Sequence, residues 1–79
     1  MKIEVLGPGC PRCQALENNV RKAVEELGIQ AEIEKVTEMP RIMGYGVMST
    51  PGIVIDGQVK GFGKLFSKEE VVEMIKAAG

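Results

Sequence analysis

Two cysteines, Cys10 and Cys13, are separated by Pro11 and Arg12, and the chain contains no others. Two thiols at this spacing can close reversibly into a disulfide, because the thiolate of one attacks a disulfide sulfur and the thiolate of the other displaces the product. A short apolar run precedes the pair and an amphipathic pattern follows it, so the pair lies where a strand is followed by a helix. This context predicts a redox-active dithiol.

The first turn of the predicted helix favours a thiolate. Pro11 fits the first helical position, where its missing N–H has no cost, so Cys10 should lie at the N-cap and Cys13 one turn into the helix. The positive end of a helix favours an anion by about 0.3–1 kcal/mol, which is less than one pKa unit. Arg12 adds a positive charge that should stabilise the reduced form. We predict that Cys10, the better exposed thiol, is the nucleophile and that Cys13 is the resolving thiol.

Two other uses of a Cys-x-x-Cys pair remain open. Zinc and iron–sulfur sites usually need four ligands, whereas this chain has no histidine and no third cysteine. A structural disulfide between residues three apart closes a very short loop and would stabilise the fold little. We therefore favour the redox dithiol, with no cofactor and no resident metal, and keep a soft-metal carrier that uses the two thiolates as the alternative function.

Composition narrows the possible partners and compartments. The 79 residues predict a single domain over residues 1–79, and 44% hydrophobic with 27% charged residues is typical of a soluble globular protein. A net charge of −1 argues against a nucleic-acid or anionic-membrane surface. No run approaches the ~18 apolar residues of a membrane span, and no targeting segment is recognisable at the N-terminus. We expect a cytoplasmic monomer, in which a Cys-x-x-Cys pair is a working dithiol rather than a permanent crosslink.

Glu4 is a charged residue within the first apolar run. If this strand is central in a parallel sheet, both of its faces are covered and Glu4 is at least partly buried. A buried carboxylate could accept the proton of Cys13 during resolution, which matters in a chain without histidine. The alternative, which we favour from sequence alone, is that Glu4 points to a solvated edge and has no role.

The periodicity of apolar residues predicts the order β-α-β-α-β-β-α. A right-handed crossover makes the first two strands parallel, and Asp56-Gly57 predicts a tight hairpin between the last two. The fold class is therefore α/β, with a four-stranded mixed sheet and three helices. We predict strands at residues 2–6, 29–34, 53–55 and 58–62, and helices at residues 11–27, after Thr37, and from the capping box 67–70 to Gly79.

The short middle helix carries further expectations. Thr37 is a plausible N-cap, and Met39, Ile42 and Met43 should form its apolar side, with the methionines filling gaps in the core. Tyr45, the only tyrosine, receives no functional interpretation from its sequence context.

Three segments together resemble a known family. Residues 9–13 (Gly-Cys-Pro-Arg-Cys), residues 46–51 (ending Ser-Thr-Pro) and residues 54–57 (Val-Ile-Asp-Gly) are similar to the thioredoxin fold in its compact, glutaredoxin-sized form. The closest likeness is to the small redox-active disulfide proteins of archaea and bacteria. The resemblance extends over essentially the whole chain and implies a minimal thioredoxin fold.

The resemblance also implies a site and partners. Pro51 would be cis and face the disulfide, although X–Pro bonds are cis only about 5–6% of the time, and the Thr50 backbone would pair with an extended substrate segment. Pro11 and Arg12 would lie at the substrate-binding surface. The implied activity is that of a protein-disulfide oxidoreductase, with disulfide-containing proteins as substrates and a thiol or flavin-dependent reductase as electron donor.

The sequence also departs from both families. Gly9 stands where thioredoxins have tryptophan, and Arg12 stands where glutaredoxins have tyrosine. The glycines around Phe62 match the glutathione-binding glycines of glutaredoxins only loosely, which leaves glutathione open as a partner. The expected reduction potential lies between about −270 and about −180 mV, with Arg12 shifting it toward the oxidising side.

Overall fold

The fold comes from a computed structural model that describes residues 1–9 and 11–78. The predictions for Cys10, as N-cap and nucleophile, and the predicted helix end at Gly79 lie outside the described residues. The described elements follow the predicted order, and the α/β fold class is confirmed. They are β1 (Lys2–Leu6), α1 (Pro11–Leu27), β2 (Glu32–Val36), α2 (Met39–Gly44), β3 (Gly52–Ile55), β4 (Gln58–Phe62) and α3 (Lys68–Ala78).

The strands form a mixed sheet in the order β2-β1-β3-β4. β1 is parallel to β2 and antiparallel to β3, and β3 and β4 form the predicted hairpin. Asp56 and Gly57 have φ values of 50° and 85°, the positive values that a type I′ turn requires at both central positions. The hairpin tip is also tied to β1, because the Lys2 N–H donates to Asp56 Oδ1 at 2.8 Å.

Alternating side chains of the central strands build two separate apolar clusters. Ile3 and Val5 point to the face covered by α1 and α3, where the larger cluster forms. Leu6 points to the opposite face and packs with Ile42 of α2, Val54 and other residues in a smaller cluster. Because successive side chains of β1 point to opposite faces, one face of the sheet packs against α1 and α3 and the other against α2.

Both predicted bounds of the second strand are wrong. β2 runs from Glu32 to Val36 instead of over residues 29–34, and Ile29 is 36% exposed. The register with β1 sets the boundary, because Lys2 pairs with Glu32. The preceding residues serve to bring the chain back from the end of α1, where Gly28 adopts a φ of 64°.

Two predictions for α2 are also wrong. The N-cap is Glu38 rather than Thr37, and it makes no side-chain capping hydrogen bond. Pro40 in the first turn lacks an N–H, so one fewer donor needs a cap. Met39 and Met43 are exposed instead of filling the core, and only Ile42 of the predicted apolar side is buried. A helix of six residues presents only one narrow stripe to the sheet.

α3 begins with the predicted capping box. The Glu70 N–H donates to Ser67 Oγ at 3.2 Å, and the Ser67 N–H donates to Glu70 Oε1 at 3.0 Å. A hydrogen bond from Lys64, followed by the bond from the Ser67 backbone, lowers the pKa of Glu70. Among the described residues, no helix has the length and apolar character needed to cross a membrane.

Candidate active site

Cys13 lies in the first turn of α1, which begins at Pro11 as predicted. Its side chain is only 3% exposed and is disulfide-bonded. The neighbouring Pro11 and Arg12 are both exposed. The helix start therefore presents Arg12 to solvent and holds Cys13 inside the protein.

Gly7, between β1 and α1, brings Cys13 against the sheet. Its N–H donates to Val36 O at 2.9 Å, which continues the β1–β2 pairing by one residue. A Cβ at Gly7 would overlap Cys13 Sγ and would lie 2.9 Å from Cys13 Cβ and 4.0 Å from Thr50 Cβ. The glycine is thus required by close packing, and it marks the point where the sulfur, β1 and the Thr50 segment meet.

Pro51 follows a cis peptide bond, as the resemblance implied, and its side chain is fully buried. Its carbonyl oxygen accepts a hydrogen bond from the Gly63 N–H at 2.9 Å. A Cβ at Gly63 would lie 2.7 Å from Ser49 Oγ. The end of β4 therefore holds the segment before β3 in close contact, beside the cysteine.

The backbone of Thr50 is available for pairing. Within residues 1–9 and 11–78, neither its N–H nor its C=O makes a backbone hydrogen bond. The residue is half-buried, and Met48 and Ser49 before it are exposed. A short segment with unused backbone groups at the protein surface can accept an additional strand.

An apolar groove of about 550 Å³ lies between α2 and this segment. We call it the methionine groove, because Met39, Met43 and Met48 contribute to it and are 49%, 65% and 92% exposed. The groove was not predicted from sequence, because Met39 and Met43 were assigned to the core. The available signal was three methionines around a helix too short to bury them. The lining residues are Met39, Ile42, Met43, Gly46, Val47, Met48, Ser49 and Thr50.

Glu4 is 5% exposed, so the predicted burial is confirmed and the solvated-edge interpretation is wrong. Its Oε2 accepts a hydrogen bond from the Tyr45 hydroxyl at 2.6 Å and lies 3.5 Å from Arg41 Nη2. Arg41 Nη1 also donates to Glu34 Oε2 at 2.8 Å, and Lys2 Nζ lies 3.1 Å from Glu34 Oε1. We call these five residues the carboxylate network.

The network holds two carboxylates side by side, since Glu4 and Glu34 are direct partners in the β1–β2 register. Like charges opposite each other destabilise a sheet, and Arg41 between them offsets that repulsion. Hydrogen bonds from Arg41 and then Lys2 lower the pKa of Glu34. The hydrogen bond to Glu4, followed by burial, raises the pKa of Tyr45. The role of Tyr45 could not be predicted from its sequence context, because its partner Glu4 is 41 residues away.

No group of three or more cysteine, aspartate or glutamate side chains that could hold an ion occurs in the described part of the chain.

The packing at Gly7 leads to a stability prediction. Gly7→Ala should lower the free energy of unfolding by about 1–3 kcal/mol in urea titrations, since overpacking forces neighbouring groups apart. Gly44→Ala is the matched control, because nothing lies within 4 Å of its added Cβ. That control should be neutral or more stable by up to ~1 kcal/mol. Equal stability of the Gly7 variant and the unmodified protein would contradict the packing argument.

The raised pKa of Tyr45 leads to a second prediction. Phenolate absorbance of this single tyrosine should titrate above the ordinary value of 10.0, and Glu4→Gln should bring the midpoint closer to it. A folded state that holds the proton more tightly gains stability below pH 10, and the gain is lost as pH rises through the folded-state pKa. Glu32→Gln, an exposed change on β2, should leave the midpoint in place. A midpoint at the free-tyrosine value in folded protein would contradict the hydrogen bond.

Comparison with known proteins agrees with the fold. A family model described as a thioredoxin domain matches residues 1–76. A thioredoxin from Methanothermobacter thermautotrophicus is 48% identical over 75 residues, covering 95% of this chain and 97% of that protein. A thioredoxin from Methanocaldococcus jannaschii is 47% identical over 75 residues, covering 95% of this chain and 86% of that protein.

A solved structure shows the same relationship. Thioredoxin 1 from the thermophilic eubacterium Thermosipho africanus superposes with a TM-score of 0.64 at 25% identity, covering 99% of this chain and 93% of that chain. With a matching family model, relatives at nearly half identity and a shared architecture, the chain belongs to the thioredoxin family of thiol–disulfide oxidoreductases.

Proposed function

We propose that the protein reduces or exchanges disulfide bonds of other proteins through Cys10 and Cys13. The Cys10 thiolate attacks a substrate sulfur, which forms a mixed disulfide and releases one substrate thiolate. The Cys13 thiolate then attacks Cys10, which closes the protein's own disulfide and releases the second substrate thiol. Two electrons and two protons pass from the dithiol to the substrate, and a reductase restores the dithiol.

The observation that carries this proposal is the packing of Cys13. Cys13 is 3% exposed and its sulfur packs against Gly7, so it is poorly placed to attack an external disulfide. Because Cys10 is only three residues away in the chain, Cys13 is suited to an intramolecular attack instead. This supports the resolving role for Cys13 and leaves the first attack to Cys10.

The helix start supplies the electrostatics of the proposed dithiol. The positive end of α1 and the exposed charge of Arg12 both favour a thiolate. Stabilising the reduced form makes a dithiol more oxidising. Pro11 and Arg12, both exposed beside the redox pair, are proposed to contact the substrate.

Substrate binding is proposed to use the Thr50–Pro51 segment. The Thr50 backbone N–H and C=O would pair with an extended stretch of the substrate that flanks the substrate's own cysteine. Pro51 would form one side of the binding site. The methionine groove opens at the same residue and would take an apolar side chain of that stretch. Unbranched thioether side chains adapt to differently shaped partners, which suits a protein that acts on many disulfides.

The cellular setting is part of the proposal. The proposed compartment is the cytoplasm, where thiols are kept reduced. A thiol or flavin-dependent reductase is proposed as the electron donor. The protein is proposed to act as a monomer.

Trapping tests the proposed roles of the two cysteines. Cys13→Ser should accumulate a mixed disulfide with insulin that non-reducing electrophoresis detects, because no resolving thiol remains. Cys10→Ser should trap none, although it also has one thiol and so serves as the matched control. Titration with Cu(I) and Zn(II) without oxygen accompanies the assay. Tight stoichiometric metal binding without insulin reduction would contradict the proposal and favour the soft-metal carrier.

Substitution in the methionine groove tests its use in docking. Met43→Gln should raise the KM for insulin about five-fold, since the change loses part of an apolar contact. Met43→Leu keeps an apolar side chain of similar volume and should differ from the unmodified protein by less than about two-fold. Equal KM values for the two variants would show that substrate does not contact the groove.

A further inference from the structure

Glu4 directs its carboxylate toward α2. In the described part of the chain it is the one charged residue that is buried, and both of its side-chain partners, Tyr45 and Arg41, come from α2 or its C-cap. Glu4 lies on the same face of β1 as Leu6, which packs with Ile42 of α2. The carboxylate therefore connects the central strand to the helix on the opposite side of the sheet from α1.

Arg41 and Tyr45 attach α2 to the sheet at two points. They are four residues apart, so they lie on the same side of the helix. Tyr45 reaches Glu4 on β1, while Arg41 reaches Glu34 on β2 with both of its terminal nitrogens, at 2.8 and 3.3 Å. Two attachments to neighbouring strands determine both the position and the direction of this short helix.

The chain after Tyr45 leads directly to the proposed substrate-binding segment. Gly46 turns it with a φ of 81°, and Val47 is buried against Leu6 in the smaller cluster. Only residues 46–49 separate the fixed hydroxyl from Thr50. The far end of the segment is fixed independently by the Gly63 N–H on the Pro51 carbonyl oxygen.

We infer that the hydrogen bond between Tyr45 and Glu4 positions the Thr50 backbone and the methionine groove beside the dithiol. Both are then positioning residues for disulfide exchange with protein substrates. The inference rests on the proposed function, and it gives Glu4 a different task from accepting the proton of Cys13. The two tasks predict different behaviour, because positioning affects docking whereas proton transfer affects the chemical step.

Two substitutions separate these tasks. Tyr45→Phe keeps the ring and removes only the hydroxyl. Glu4→Gln keeps the shape and a carbonyl oxygen that can accept from Tyr45, but it can no longer accept a proton as a carboxylate does. Each pre-reduced variant is assayed with insulin, which must dock, and with Ellman's reagent, a small disulfide that needs no docking. Glu32→Gln serves as the surface control, and urea titration verifies that each variant is folded.

Positioning predicts a substrate-dependent defect. Tyr45→Phe should raise the KM for insulin about five-fold, as expected for the loss of one hydrogen bond to a charged group. Its kcat for insulin and its rate with Ellman's reagent should stay within about two-fold. Glu4→Gln keeps only a weaker, neutral hydrogen bond to Tyr45, so it should raise the KM for insulin by less than Tyr45→Phe does. Its rate with Ellman's reagent and its pH profile should match those of the unmodified protein. If one variant fails to fold, the other decides.

Other outcomes overturn the inference. An unchanged KM for insulin in folded Tyr45→Phe would show that the hydroxyl positions nothing used in docking. Equal slowing of both substrates by Glu4→Gln, with loss of one ionisation from the pH profile, would identify Glu4 as a proton acceptor instead. Failure of the unmodified protein to reduce either disulfide would reject the proposed function itself, a result distinct from both.

Discussion

The structure depends on one close approach, between the end of β1 and the first turn of α1. Gly7 leaves no space for a side chain, so the Cys13 sulfur packs directly against backbone. A Cβ at Gly7 would also lie 4.0 Å from Thr50 Cβ. The segment before β3 therefore reaches the same site. β1 is held by β2 and β3 at its edges and by helices on both faces of the sheet. This packing fixes the position of the contact.

Much of this arrangement could be predicted from local sequence. The bounds of α1 follow from a helical period that begins at Pro11 and ends before Gly28. The hairpin follows from Asp56-Gly57, and the α3 cap from Ser67 and Glu70. Each of these features is decided by residues close together in the chain, so the pattern carries the information.

The rest could not be predicted because distant residues decide it. The register with β1 determines where β2 begins, and alternation of apolar residues suggested an earlier start. Exposure of Met39 and Met43 depends on how little of α2 reaches the sheet. The bond between Tyr45 and Glu4 joins residues that only the topology brings together. The cis bond before Pro51 was expected from resemblance alone, since general frequencies favour trans.

The two faces of the sheet are unequally supported. Within residues 1–9 and 11–78, eleven buried apolar residues form the cluster beneath α1 and α3, whereas five form the one beneath α2. Local opening requires less free energy where fewer apolar side chains are buried. We therefore expect the α2 side of the sheet to open locally and briefly while the α1–α3 side stays folded. The residues proposed to meet a substrate would then belong to the more adaptable half of the protein, and Cys13 at the start of α1 to the rigid half.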